Sequence, residues 1–275
     1  MVASSCCAQT LGSLMSYYPI LDVPGIAGWT KLYNFSPNNW EVRQQREQWI
    51  NFTFSTGEKW ITESLGKLPF GAVRTVTADE LHGRMKANAI TLLSLTHAPL
   101  PPSSPSLPVL SDSRTTTPAW RATIGLSSAY AQTSYQGELD PFPRSGTLLT
   151  FGPFLQYGIG IENYLIFLNA ENSAETRTAE LEIYDANGLN FKGKFTVRNN
   201  SSNMISLDDL GLNGEDLPLI ICRDMAGIPL YFSRTTDGAF LSLEHTHPPA
   251  SFVVHGSRWE AQKLLKKHWF TKVSS

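Results

Sequence analysis

Thr178 to Gly188 reads TAELEIYDANG, and the alternation within it decides the fold class. On an extended chain Ala179, Leu181 and Ile183 share one face, and Glu180, Glu182 and Tyr184 share the other. That two-residue period marks a strand with one wet face. Asp185-Ala186-Asn187-Gly188 supplies a turn in which Asn-Gly takes positive φ. FKGKFTVR (Phe191 to Arg198) alternates again and pairs back as a hairpin. Working outward, Tyr164 to Asn169, Met204 to Leu207, Leu217 to Cys222, Ile228 to Arg234 and Ala239 to His245 have strand-like lengths, and Phe252 to His255 adds one more. Short strands at this regular spacing predict a mainly β chain of the sandwich or jelly-roll type.

The same order of segments occurs earlier in the chain. QWINFTFSTG (Gln48 to Gly57) stands where AELEIYDANG (Ala179 to Gly188) stands later, and VTADEL (Val76 to Leu81) stands where ISLDDL (Ile205 to Leu210) does. Pro19-Ile20-Leu21 matches Pro153-Phe154-Leu155, and Ser94-Leu95-Thr96-His97 matches Ser242-Leu243-Glu244-His245. Conserved order of this kind predicts two related β-sandwich modules from an internal duplication. The first is expected over 1–97 and the second over 119–256. Between them, APLPPSSPSLPVLSDSRTTTP (98–118) is too rich in proline and serine for a regular element and reads as an extended surface linker. Residues 257–275 open with SRWEAQKLLKKHWF, in which Trp259, Leu264, Leu265 and Trp269 recur at helical intervals and predict an amphipathic C-terminal helix.

Composition excludes several classes. With 41% hydrophobic and 17% charged residues over 275 positions, the chain can bury a sizeable core and is not a disordered composition. A net charge of −2 with scattered Lys and Arg argues against nucleic acid as a partner. No run is long and apolar enough for a membrane span, and the opening residues lack a basic, then apolar, secretory pattern. A cytoplasmic location is the resulting expectation. Cys6 and Cys7 are adjacent and Cys222 sits alone in LPLIIC, a pattern with neither a disulfide framework nor a thiolate metal site.

Two stretches carry chemistry. In EHTHPP (Glu244 to Pro249), His245 and His247 would point to the same side of a strand and share one ion, with His255 as a third nitrogen ligand. Such a set would hold a divalent metal and polarise a water, or serve as catalytic histidines. A cupin also places His-x-His on a strand, but Ala250 and prolines occupy the place of its glutamate. The competing reading is a strand end turned by Thr246 to Pro249. The second stretch is SYQGELDPFP (Ser134 to Pro143). There Tyr135 would stack on a flat or sugar ligand, while Gln136, Glu138 and Asp140 accept its hydroxyl hydrogen bonds. Glu138 would alternatively complete the metal set or act as general acid or base. Arg234 would clamp a carboxylate or phosphate if it faces a cleft, and pair with a neighbouring acid if it does not.

The run NAENSAETRTAELEIYDANG (Asn169 to Gly188), the later ISLDDL, and an apolar strand pair ending in SRTTDG (Ser233 to Gly238) resemble the small β-sandwich of sensory rhodopsin transducer proteins. The likeness spans 165–234 and implies a sandwich, an oligomeric state and a small-ligand site. The functional expectation is a soluble binding protein that takes a small polar or carbohydrate-like ligand in a groove between modules. Its alternative is an enzyme centred on His245, His247 and His255. A homo-oligomer is left open.

Overall fold

The computed structural model describes residues 16–35, 46–84, 88–110, 122–153, 155–245 and 257–273. The chain is mainly β, with every ladder between its strands antiparallel, and it carries one C-terminal helix. Its first half contains β1 (Tyr18–Ile20), β2 (Ala27–Tyr33), β3 (Gln48–Ser55), β4 (Trp60–Leu68), β5 (Val73–Thr77), β6 (Thr91–Thr96), β7 (Ser103–Ser104), β8 (Ala122–Ser127) and β9 (Gln132–Gly137). These form two sheets, β1-β6-β3-β4-β7 and β5-β2-β8-β9, closed over a core that includes Leu32, Ile50, Phe52, Val76 and Leu93.

The second half contains β10 (Leu148–Phe151), β11 (Ile161–Asn169), β12 (Thr178–Asp185), β13 (Asn190–Arg198), β14 (Ser201–Ser206), β15 (Pro218–Cys222), β16 (Ile228–Thr235) and β17 (Leu241–His245). Sheets β10-β15-β12-β13 and β14-β11-β16-β17 enclose Leu165, Phe167, Leu181, Ile183, Ile220 and Cys222. Apart from β7, the two sandwiches have the same strand order, with β1-β6-β3-β4 corresponding to β10-β15-β12-β13 and β5-β2-β8-β9 to β14-β11-β16-β17.

That correspondence moves the boundaries. β8 pairs with β2 and β9 with β8 in the first sandwich, not with the strands after residue 148, although the sequence assigns 119–256 to the second module. In chain order the Pro/Ser stretch thus falls between β6 and β8, two strands of the first sandwich. Its described part, 98–110, is no loose surface linker. Thr62 N donates to Pro102 O, Leu107 N donates to Asn172 O, and Tyr17 Oη donates to Pro108 O. Leu107 and Leu110 are buried. Proline removes donors from this strap, but spaced leucines still anchor an extended chain. The match of Ser94–His97 with Ser242–His245 also fails on topology, since β6 corresponds in order to β15 and β17 to β9.

Burial explains the strand patterns. β12 alternates because Ala179, Leu181 and Ile183 enter the core while Glu180 and Glu182 do not. β11 reads as a continuous apolar run because both faces are covered: Leu165 and Phe167 enter the second sandwich core, Ile166 and Leu168 the layer between sandwiches. That layer also gathers Trp60, Leu92, Leu107, Ile124, Leu126, Leu230, Phe232, Leu241 and Leu243. The hairpin after β12 does not use Asn-Gly as expected; positive φ falls on Leu189 (54°) instead. Asp185 Oδ1 accepts the Asn187 and Leu217 N–H groups and sets this wider turn.

Helix α1 (Ser257–Lys272) lies against the outer face of β10 and β15. The docked stripe is Lys266, Trp269, Phe270 and Val273, at i, i+3, i+4 and i+7. Lys266 Nζ donates to Thr147 O at 3.0 Å, and Trp269 meets Phe151 edge-on at 5.5 Å. Leu264 and Leu265, read from sequence as part of the buried face, are exposed, and the side chain of Trp259 lies outside the described residues. Among the described residues, no helix is long and apolar enough to cross a membrane.

Candidate functional site

Two sheet edges meet where the sequence places its candidate residues. Among the described residues, β9 is the last strand of one sheet and β17 of another, and they pack together. Leu243 N donates to Thr133 Oγ1 at 3.1 Å. Two residues further along each strand, the Tyr135 ring and the His245 imidazole lie 4.8 Å apart, tilted by 35°. Within β9, Gln132, Ser134 and Gln136 are exposed while Thr133, Tyr135 and Gly137 turn inward. Gln136 therefore sits on the face opposite Tyr135 and does not join it, contrary to expectation.

Beyond β9 the chain is pinned by Leu139, which is fully buried and exchanges two backbone hydrogen bonds with Tyr17, at 3.1 and 2.7 Å. This antiparallel bridge sets Tyr18 across from Glu138 and Ser16 across from Asp140. The two carboxylates flank the buried leucine and share a face, as i and i+2 must in extended chain.

Electrostatics ties these groups together. Burial, then the Glu138 charge, raises the Asp140 carboxyl above the ordinary aspartate range, and a hydrogen bond with Ser16 offsets part of the rise. Burial and then Glu138 also push the Tyr135 phenol above the tyrosine range. The Tyr18 phenol rises for the same reasons, with a further contribution from Asp140. Both hydroxyls thus stay protonated as donors, and Glu138 is the charge common to all three neighbours.

Other expected members go elsewhere. Arg234 Nε donates to Glu162 at 2.8 Å and Nη1 to Pro24 O at 2.8 Å, so it pairs structurally. His245 pairs with Leu230, four residues along β16 from Arg234, which separates the two by about 13 Å. His247 and His255 lie outside the described residues, and so does the metal set built on them. Among the described residues, no group of three His, Cys, Asp or Glu side chains is placed to hold a metal ion. Sequence reasoning missed Ser16 and Tyr18, because only the distant Tyr17–Leu139 bridge brings them to the carboxylates.

No protein-family model, curated protein or solved structure matches the chain.

Proposed function

We propose that the protein is a soluble, cytoplasmic binding module, built from two duplicated sandwiches, that takes a small polyhydroxylated ligand at the β9–β17 seam. The supporting observation is the Tyr135–His245 ring pair within reach of the Glu138 charge, which also acts on Asp140. Aromatic faces cover the apolar side of a sugar ring, and carboxylates accept its hydroxyls. The apolar layer between the sandwiches is filled, so the ligand sits at the edge of that layer, not in a deep groove. The likeness of 165–234 to transducer sandwiches accords with a binding role.

The test is titration of mono- and oligosaccharides into 15N-labelled protein. Saturable shifts at the Gly137, Leu139 and His245 amides, weakened at least tenfold in Glu138→Gln, support the reading. Shifts confined to other regions, or unchanged affinity in that variant, remove it.

One observation favours a second reading, an acid–base enzyme: burial and then the Glu138 charge raise the Asp140 carboxyl above the ordinary aspartate range, and a carboxyl shifted this way suits proton transfer. Turnover of a glycoside within the same panel, abolished by Asp140→Asn, would select it over simple binding.

A further inference from the structure

A second concavity lies wholly within the second sandwich, away from the seam. It has a volume of about 280 Å³ and is walled by Leu155, Tyr157, Ile161, Leu212, Asn163 and Asp208. Drug-sized sites begin at roughly 300 Å³, so this space suits a smaller molecule.

Its wall is rigid. Asn163 Oδ1 accepts hydrogen bonds from Gln156 N at 3.1 Å and Ser233 Oγ at 2.6 Å, while its Nδ2 donates to Gln156 O at 2.9 Å. Asn163 N donates to Asp208 Oδ1 at 2.9 Å, and Leu207 N donates to Asn163 O at 2.9 Å. The 3₁₀ turn Asp208–Leu210 is thereby fixed against the start of β11. A site built this way loses little entropy on binding.

Its chemistry is one-sided. Among the described residues, Asp208 is the sole acidic side chain in the lining, and no Lys, Arg or His joins it there. Outside the lining, Asp216 contributes after burial to the raised pKa of the Tyr157 phenol, but it is paired with Lys192 Nζ at 3.3 Å, so Asp208 carries the attraction for a cation. Asp208 uses one carboxylate oxygen for the Asn163 N–H, and a carboxylate offers about four acceptor positions. The partly exposed Tyr157 ring adds a π face, and such faces attract cations. Leu155, Ile161 and Leu212 supply an apolar floor.

We propose that this pocket binds a small organic ammonium, with the cation between Asp208 and the Tyr157 ring and a compact apolar body against Leu155 and Leu212. It is independent of the seam and of the function assigned there.

The test uses benzylamine as the probe, with uncharged benzyl alcohol of nearly the same shape as control, followed through the amide shifts of Gly158, Asn163 and Leu212. Saturable benzylamine shifts are expected, at least tenfold weaker for benzyl alcohol and at least tenfold weaker in Asp208→Asn. The amide introduced by Asp208→Asn keeps a carbonyl acceptor for Asn163 N, so the fold is retained. Leu212→Phe, which fills the space, should abolish the shifts while keeping the remaining spectrum. Equal affinity for amine and alcohol, an unchanged Asp208→Asn variant, or binding that survives Leu212→Phe overturns the proposal.

Discussion

Tyr135 and His245 face each other at 4.8 Å across two edge strands that hold the same position in two sheets of one strand order. An exposed edge is normally a liability, because its unpaired backbone invites association. Here β9 and β17 shield one another through side chains, with the Thr133 hydroxyl accepting the Leu243 N–H. The seam is therefore both a structural closure and the place where polar groups collect at the margin of an apolar layer. Ser16 and Tyr18 meet Glu138 and Asp140 next to it because Tyr17 pairs with Leu139, and the Glu138 charge reaches Tyr135.

The ring pair depends on a glycine. A Cβ at Gly137 would come within 2.4 Å of Tyr135 Cε2, closer than real contacts allow. Gly137→Ala should rotate the ring off His245 and cost about 1–3 kcal/mol of stability through overpacking. Urea unfolding checks the energy, and loss of nuclear Overhauser contacts between the two rings checks the cause. A variant with wild-type stability and intact ring contacts would show that Tyr135 does not cover Gly137.

The proline-rich strap should behave as core. Leu107 is 3% exposed, and its backbone N–H is bonded to Asn172 O of the second sandwich. Leu107→Ala is expected to destabilise by about 2–5 kcal/mol, as a buried leucine does. It should also raise protease cleavage within 98–110. A loss below about 0.5 kcal/mol, the size of a neutral surface change, would mean that the strap merely rests on the surface.

Much of the second sandwich is legible because its strands face one environment on each side. β12 alternates where one face is wet, and β11 and β15 run continuously apolar where both faces are covered. What sequence could not show depended on distant contacts. The leucines of 98–110 are too few to form a period, so only the tertiary structure reveals that they are buried. The helix misleads because a lysine occupies the docked stripe: Lys266 reaches Thr147 while Leu264 and Leu265 stay outside. At the seam, Tyr135 and His245 were readable as residue types, but strand parity sends Gln136 to the opposite face and Arg234 is taken by Glu162.

A buried ion pair closes one end of the second sandwich. Glu171, 3% exposed, accepts two bonds from Arg177 Nε at 3.0 and 3.1 Å and one from Asn199 Nδ2 at 3.3 Å. Arg177 also donates to the carbonyls of Asp224 and Arg144. Arg177→Met strands the carboxylate and should cost about 3–5 kcal/mol, with much of that recovered when Glu171→Leu is added. The exposed Arg144–Glu175 pair offers the contrast, since Arg144→Ala should change stability by less than about 1 kcal/mol. Urea denaturation of the wild type and these three variants decides it, and similar losses for both single arginine variants would contradict the burial argument.

Asp140 makes the acidic end of the seam sensitive to pH. Burial first, and then the Glu138 charge, disfavours its anion in the folded protein, while Ser16 offsets only part of this. The folded state therefore binds more protons than the unfolded one in a window that opens near the ordinary aspartate value, about 3.9, and ends above the raised folded value. Stability from this group is complete below the window and is lost as pH rises through it. Asp140→Asn cannot ionise and escapes that loss, so its advantage over wild type should grow between about pH 3 and pH 7. Unfolding free energies measured across that range test the sign. A difference between the two proteins that is constant with pH would place Asp140 in water-like surroundings and remove it from the seam chemistry. A difference that grows would tie the carboxylate to the desolvated face it shares with Glu138.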